Sequence, residues 1–178
     1  MSNIRQSACA GVVLAFAMTA LLAGMPGHAA AAHDPYRALK LYDGRWAMTL
    51  GDGHAIALTN RCSQLARAYV CEQLVDGKPV AMVIYVPAGS ESGSATFDTL
   101  AVPYGGAAPG PWNKLTIDGD HWEYRSSQTV AGHTSYARVV NDFDGPDHIR
   151  FVQQRSSDGT IWTTVASGDE QRVPAAAP

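Results

Sequence analysis

The chain has 178 residues, 46% of them hydrophobic and 16% charged, and its 13 Lys and Arg against 16 Asp and Glu give a net charge of −3. That balance argues against nucleic acid or an anionic membrane surface as partner, since both are held by basic patches.

In chain order, the first pattern is a leader. Arg5 precedes an apolar stretch from Ala8 to Leu22, and the small residues Gly27-His28-Ala29 and Ala30-Ala31-Ala32 follow. This predicts a signal peptide over residues 1–30, cleaved between about 29 and 32. Read as a membrane anchor, the stretch is too short and too rich in small residues to span comfortably. A lipoprotein needs a Cys just after the apolar run, and Cys9 lies at its start. The expected product is a periplasmic or secreted protein with no membrane span. Without Arg5 it keeps twelve basic and sixteen acidic residues, a net charge of −4. About 146 residues then remain, enough for a single domain, expected over residues 33–173, with its own core. The tail, residues 174–178, is expected to be disordered.

A short helix is expected over Pro35–Leu41, where Asp34 can cap and Pro35 suits the first helical position. Beyond it, six Asp-Gly dipeptides, at Asp43, Asp52, Asp76, Asp118, Asp144 and Asp158, mostly separate short segments of alternating polarity. Asp-Gly tolerates the positive φ angles of tight hairpins, so the series predicts an antiparallel meander. Strands are expected near Gly44–Leu50, His54–Arg61, Ala68–Val75, Val80–Val86, Ala95–Val102, Asn113–Ile117, His121–Ser127, Thr134–Asn141, His148–Arg155 and Ile161–Glu170. About ten sequential strands close economically into an all-β, up-and-down barrel, because closure removes exposed edges. A two-sheet sandwich is the rival arrangement.

Three early hairpins predict one another's register. A Gly51-Asp52-Gly53 loop pairs Trp46 with Leu58 and Met48 with Ile56. A disulfide between Cys62 and Cys71, expected of an exported chain with an even cysteine count, sets Arg61 opposite Glu72 and Leu58 opposite Val75. Two free thiols are the alternative. A two-residue Asp76-Gly77 turn places Cys71 beside Met82, Tyr69 beside Ile84 and Gln73 beside Val80. A one-residue slip would turn every side chain over, so the agreement constrains the fold.

Further along, Tyr104–Trp112 (YGGAAPGPW) reads as a rim loop, either a portal lip or partner contact or a plain wide turn. A two-residue Asp118-Gly119 turn pairs Leu115 with Trp122. Alternation then directs Trp122 and Tyr124, Tyr136 and Arg138, and Phe151, Gln153 and Arg155 inward. Such an interior suits a small apolar or amphipathic ligand whose polar head meets Arg138 or Arg155. Ordinary core packing is the competing reading of the same residues.

Catalytic and metal signatures are weak. Gly89-Ser90-Glu91-Ser92-Gly93 has Glu where a nucleophile elbow has Ser. The histidines after the leader, His33, His54, His121, His133 and His148, are scattered singly, so no metal site or cofactor is expected. Asp142–Asp147 has acidic spacing but lacks the distant bidentate Glu of a calcium loop.

Gly44-Arg45-Trp46, entering the first strand after a short helix-like segment, resembles the Gly-x-Trp signature of lipocalins and the wider calycin superfamily. That resemblance implies a structural role for Trp46, closing one barrel end, with Arg172 as the basic residue packed over it. Ten strands look more like the ten-stranded calycin relatives than like eight-stranded lipocalins. The stretches Arg61-Cys62, Val70-Cys71-Glu72, Asp76-Gly77-Lys78-Pro79 and Gly168-Asp169-Glu170 make the chain from about Tyr36 to Val173 similar to secreted bacterial lipocalin-like domains of unknown function. Some ten-stranded relatives hold haem through a His near the C-terminus, and no His follows His148 here. The resemblance implies a container more firmly than an activity. The readings that follow are a carrier of a small ligand and, as alternative, a structural or interaction module of the cell envelope with a filled barrel.

Overall fold

The structure is a computed structural model that describes residues 34–91 and 94–174. The leader expected over residues 1–30, its cleavage site and tail residues 175–178 lie outside the described residues. Ten strands follow one another: β1 Gly44–Leu50, β2 Ala55–Leu65, β3 Ala68–Val75, β4 Lys78–Glu91, β5 Ser94–Pro103, β6 Asn113–Asp118, β7 His121–Val130, β8 His133–Phe143, β9 His148–Ser156 and β10 Thr163–Arg172. Each pairs antiparallel with its chain neighbours, and β10 pairs with β1 to close the barrel. The seam runs from Trp46 opposite Arg172 to Leu50 opposite Gly168. Closure, not a sandwich, is therefore how the meander disposes of its edges.

The helix expected over Pro35–Leu41 does not form. Asp34 does accept the Tyr36 amide at 3.0 Å, but residues 35–38 are turns and only Leu39–Tyr42 makes a 3₁₀ turn. So short a segment gains too few backbone bonds to offset helix nucleation. Its apolar residues are instead drawn into the barrel end, where Tyr36 and Leu39 are buried.

Register in the first hairpins follows the disulfide. Cys62 and Cys71 are bonded, with Cα atoms 4.0 Å apart, and Leu58 faces Val75, Asn60 faces Gln73 and Arg61 faces Glu72. Trp46 faces Leu58 and Met48 faces Ile56. The next hairpin differs from expectation. Its Asp76-Gly77 turn has positive φ at both residues (49° and 76°), yet the ladder shifts after Pro79, leaving Val80 as an extra residue. Proline cannot donate to a ladder, and a bulge beside it absorbs the loss. Cys71 therefore faces Val83 instead of Met82, Tyr69 faces Tyr85 instead of Ile84, and Gln73 faces Ala81 instead of Val80. Met82 leaves the inner face and Tyr85 enters it.

The β6–β7 turn also differs. Asp118 pairs with His121 around Gly119-Asp120, so Leu115 faces Tyr124, and Trp122 faces Ile117. The slip is by two in pairing, so all four side chains stay on the inner face.

Alternating strand directions gather the 3₁₀ turn, the start of β1 and the end of β10 at one end of the barrel. That end is filled. Trp122 packs on Phe143 with ring centroids 4.6 Å apart, Tyr42 lies 6.3 Å from both Trp46 and Trp122, and Tyr36 stacks on Tyr69 at 5.8 Å. The Arg172 guanidinium lies 4.2 Å from the Trp46 ring centre. Gly44 makes room for it, since a Cβ there would sit 2.8 Å from Arg172 Nη1. The opposite end, carrying the 104–112 loop and the β7–β8 and β9–β10 turns, is where the interior opens.

Candidate ligand cavity

The barrel interior holds a cavity of about 440 Å³. Its walls mix apolar side chains, Met48, Val83 and Phe151, with polar ones. Alternation carries these residues inward from successive strands. Gln73, Asn113, Ser126 and Gln153 line it toward the open end, and Tyr42, Tyr85, Tyr124 and Glu170 toward the packed end. Tyr85 and Glu170 are buried, whereas Tyr42 and Tyr124 keep part of their surface on the cavity.

Electrostatics at the packed end are unusual. Burial raises Tyr85 to about 12, a rise partly offset by its hydrogen bond with Tyr124. Tyr124 is held well above the ordinary phenol value by burial and then by the neighbouring Tyr85 and Tyr42. Tyr42 is raised by burial, then by Glu170 and Tyr85, while Asn60 alongside pulls the other way. All three are therefore neutral phenols near neutral pH, able to donate or accept hydrogen bonds. Glu170 is raised to about 7 by burial, because desolvation disfavours its charged form.

Several buried polar atoms here lack partners. Among the described residues, Glu170 Oε2 and Trp122 Nε1 make no hydrogen bond, and the side chain of Asn60 has only the Tyr42 phenol beside it. Glu170 is 2% exposed and Asn60 1%. Native interiors satisfy nearly all such groups, so each exception asks for an explanation.

Of the residues expected to point inward, Tyr124, Phe151 and Gln153 line the cavity. Arg155 shares the inner register, opposite Ala137, but lies exposed beyond the cavity, beside a smaller recess with Pro111 and Tyr136. Tyr136 and Arg138 have the opposite orientation to that expected. A turn at Ala131-Gly132 pairs Val130 with His133 and so sets Tyr124 opposite Val139, turning Tyr136 and Arg138 outward. Arg138 Nε donates to Gln154 Oε1 at 2.6 Å, and its guanidinium packs 4.3 Å from the Trp162 ring centre. It reaches the cavity only as part of the wall. Tyr136 lies in an outer groove of about 410 Å³ with Trp112, Trp162 and Arg125.

Tyr42, Tyr85 and Glu170 did not emerge from the alternation. Tyr85 is displaced by the bulge after Pro79, and Glu170 is hidden because β10 carries a bulge at Val165, which breaks its period of two. The seam held the signal for Glu170: with Trp46 opposite Arg172, Glu170 must sit opposite the inward Met48.

Elsewhere, His121 pairs with Asp142 at 2.6 Å on the barrel exterior. Among the described residues, no group of three or more His, Cys, Asp or Glu side chains converges as a metal site would require. No protein-family model matches the chain, and no curated protein matches it.

Proposed function

We propose that this protein is an exported, calycin-type barrel that carries a small apolar or amphipathic molecule in its interior. The observation that carries this reading is the cavity of about 440 Å³, lined by both apolar and polar side chains and within the size range of small-molecule sites. The closed ten-strand barrel with Arg172 over Trp46 supports the calycin-type assignment. The Cys62–Cys71 disulfide supports a periplasmic or secreted location, where such bonds persist.

Native mass spectrometry of protein purified from its own host tests this. A reproducible added mass, released on denaturation, is the expected result. Protein that comes through at its bare mass and takes up no neutral environment-sensitive dye such as Nile red would overturn it.

A second reading, an interaction module of the cell envelope, has one observation in its favour. Tyr104 and Trp112 flank the rim loop and are 45% and 57% exposed, which is apolar surface a partner could cover. Cross-linking from a photoreactive residue at position 104 in cells, with loss of the product on Trp112→Ala, tests it.

A further inference from the structure

We propose that the packed end of the cavity is a binding site for a cationic amine head, with Glu170 as counter-ion and Tyr42, Tyr85 and Tyr124 as its phenol wall. The inference rests on the carrier reading and names the ligand class for that same cavity.

Four observations converge. Among the described residues, Glu170 is the only Asp or Glu lining the cavity, it is buried, and its Oε2 has no partner. No ion pair reaches it from any described residue, and the cations on its strand face and in its cavity wall, Arg172 and Arg138, are committed elsewhere. Arg172 donates to the carbonyls of Asp43, Leu41 and Pro146 and pairs with Asp147. Arg138 is taken up by Gln154, Glu123 and Trp162 on the outer side. A buried carboxylate with no protein cation is costly, and a ligand that brings the cation removes that cost.

The surroundings favour a cation over other heads. Glu170 acts on Tyr42 from the 3₁₀ turn and Tyr124 from β7, and Tyr85 from β4 lines the same cavity; burial keeps all three phenols neutral. Their rings, with Phe151, offer the π faces that attract ammonium groups. An anionic head at this end would meet Glu170, and the cation in the cavity wall, Arg138, is already held by Glu123 and Trp162 on the outer side. The apolar part of the ligand would then run past Met48 and Val83 toward the amide-bearing rim at Gln73 and Gln153.

Calorimetric titration of the full-length protein as its host makes it, with octyltrimethylammonium, 1-octanol and octanoate, tests the proposal. The quaternary head cannot lose its charge, so any pH effect belongs to the protein. Expected at pH 8 is a preference for the cation over both other heads of about tenfold or more, falling by about tenfold between pH 8 and pH 5.5 as Glu170 takes up its proton. Glu170→Gln should abolish the preference while 1-octanol binding persists, and the pH series on the unaltered protein covers the case of a variant that fails to fold. Equal or tighter binding of octanoate, or a preference that survives both Glu170→Gln and acid pH, would overturn the amine site alone. If none of the three binds, the carrier reading falls with it.

Discussion

Arg172 joins two stretches of chain that are remote from it in sequence: its guanidinium covers Trp46 at 4.2 Å while donating to Asp43 O at 2.7 Å and Pro146 O at 3.1 Å. A planar fork with several fixed donors does this, and an ammonium cannot. Arg172→Ala should therefore cost about 2–3 kcal/mol, from a cation–π contact and two or more hydrogen bonds. Arg172→Lys should recover less than half of it. Urea unfolding followed by Trp fluorescence measures both, and an equal stability for the Lys variant and the original would show that charge alone suffices.

Gly168 marks a second close approach at the same seam. A Cβ there would collide with the Thr49 carbonyl and lie 2.8 Å from Phe151 Cε1. Gly168→Ala should destabilise the barrel by about 2–3 kcal/mol, since the opposing atom is backbone and has little room to yield. The same substitution at Gly77 meets no atom within 4 Å and strains only a turn already at positive φ, so its cost should stay near 1 kcal/mol. Thermal unfolding of the two variants side by side gives the contrast.

The Cys62–Cys71 bond joins directly opposed residues of β2 and β3. Closing so short a loop limits the unfolded chain modestly, by about 2–3 kcal/mol in the entropy model. The double variant Cys62→Ala, Cys71→Ala should lower the unfolding free energy by that amount, measured by urea unfolding. Because flanking register is also held by the Arg61–Glu72 pair at 3.4 Å and the apolar inner face, near-UV circular dichroism should retain its native form.

Glu170 gives the stability a specific pH dependence. Its pKa rises from an ordinary 4.5 in the unfolded chain to about 7 in the barrel. The folded state thus holds the proton more tightly between those values, and the contribution is fully present below about pH 4.5 and lost as pH rises through 7. The upper bound is about 3 kcal/mol. Comparing stability from pH 4.5 to pH 8 for the protein and for Glu170→Gln isolates it: the difference should move in favour of the Gln variant as pH rises. A difference that stays constant across this range would place Glu170 in ordinary solvent.

The parts of this fold legible in the sequence are those where independent signals coincide. Trp46, Leu58, Cys62 and Cys71 can be placed because a turn, a disulfide and a charge pair all demand one register. Register was lost where the backbone departs from regularity without a residue pattern to announce it. The bulge after Pro79 exchanged Met82 for Val83 and brought Tyr85 inside. The Ala131-Gly132 turn places an alanine at φ 49°, where Asn or Asp is the usual signal, and that turned Tyr136 and Arg138 outward. The candidate site suffered most, because it draws on β4 and β10, both of them bulged, and on Tyr42 in a 3₁₀ turn with no period at all.

The seam between β1 and β10 also sets an order of events. Arg172 meets Asp43 across a separation of 129 residues, so the ring is completed by the part of the domain that the ribosome makes last. Until then β1 offers a bare hydrogen-bonding edge, and a chain cut short before Gly168 keeps that edge for good. Such a fragment would retain nearly every hairpin of the intact protein and still present a template for pairing with its neighbours. In this protein, the final strand turns a sticky ribbon into a closed barrel.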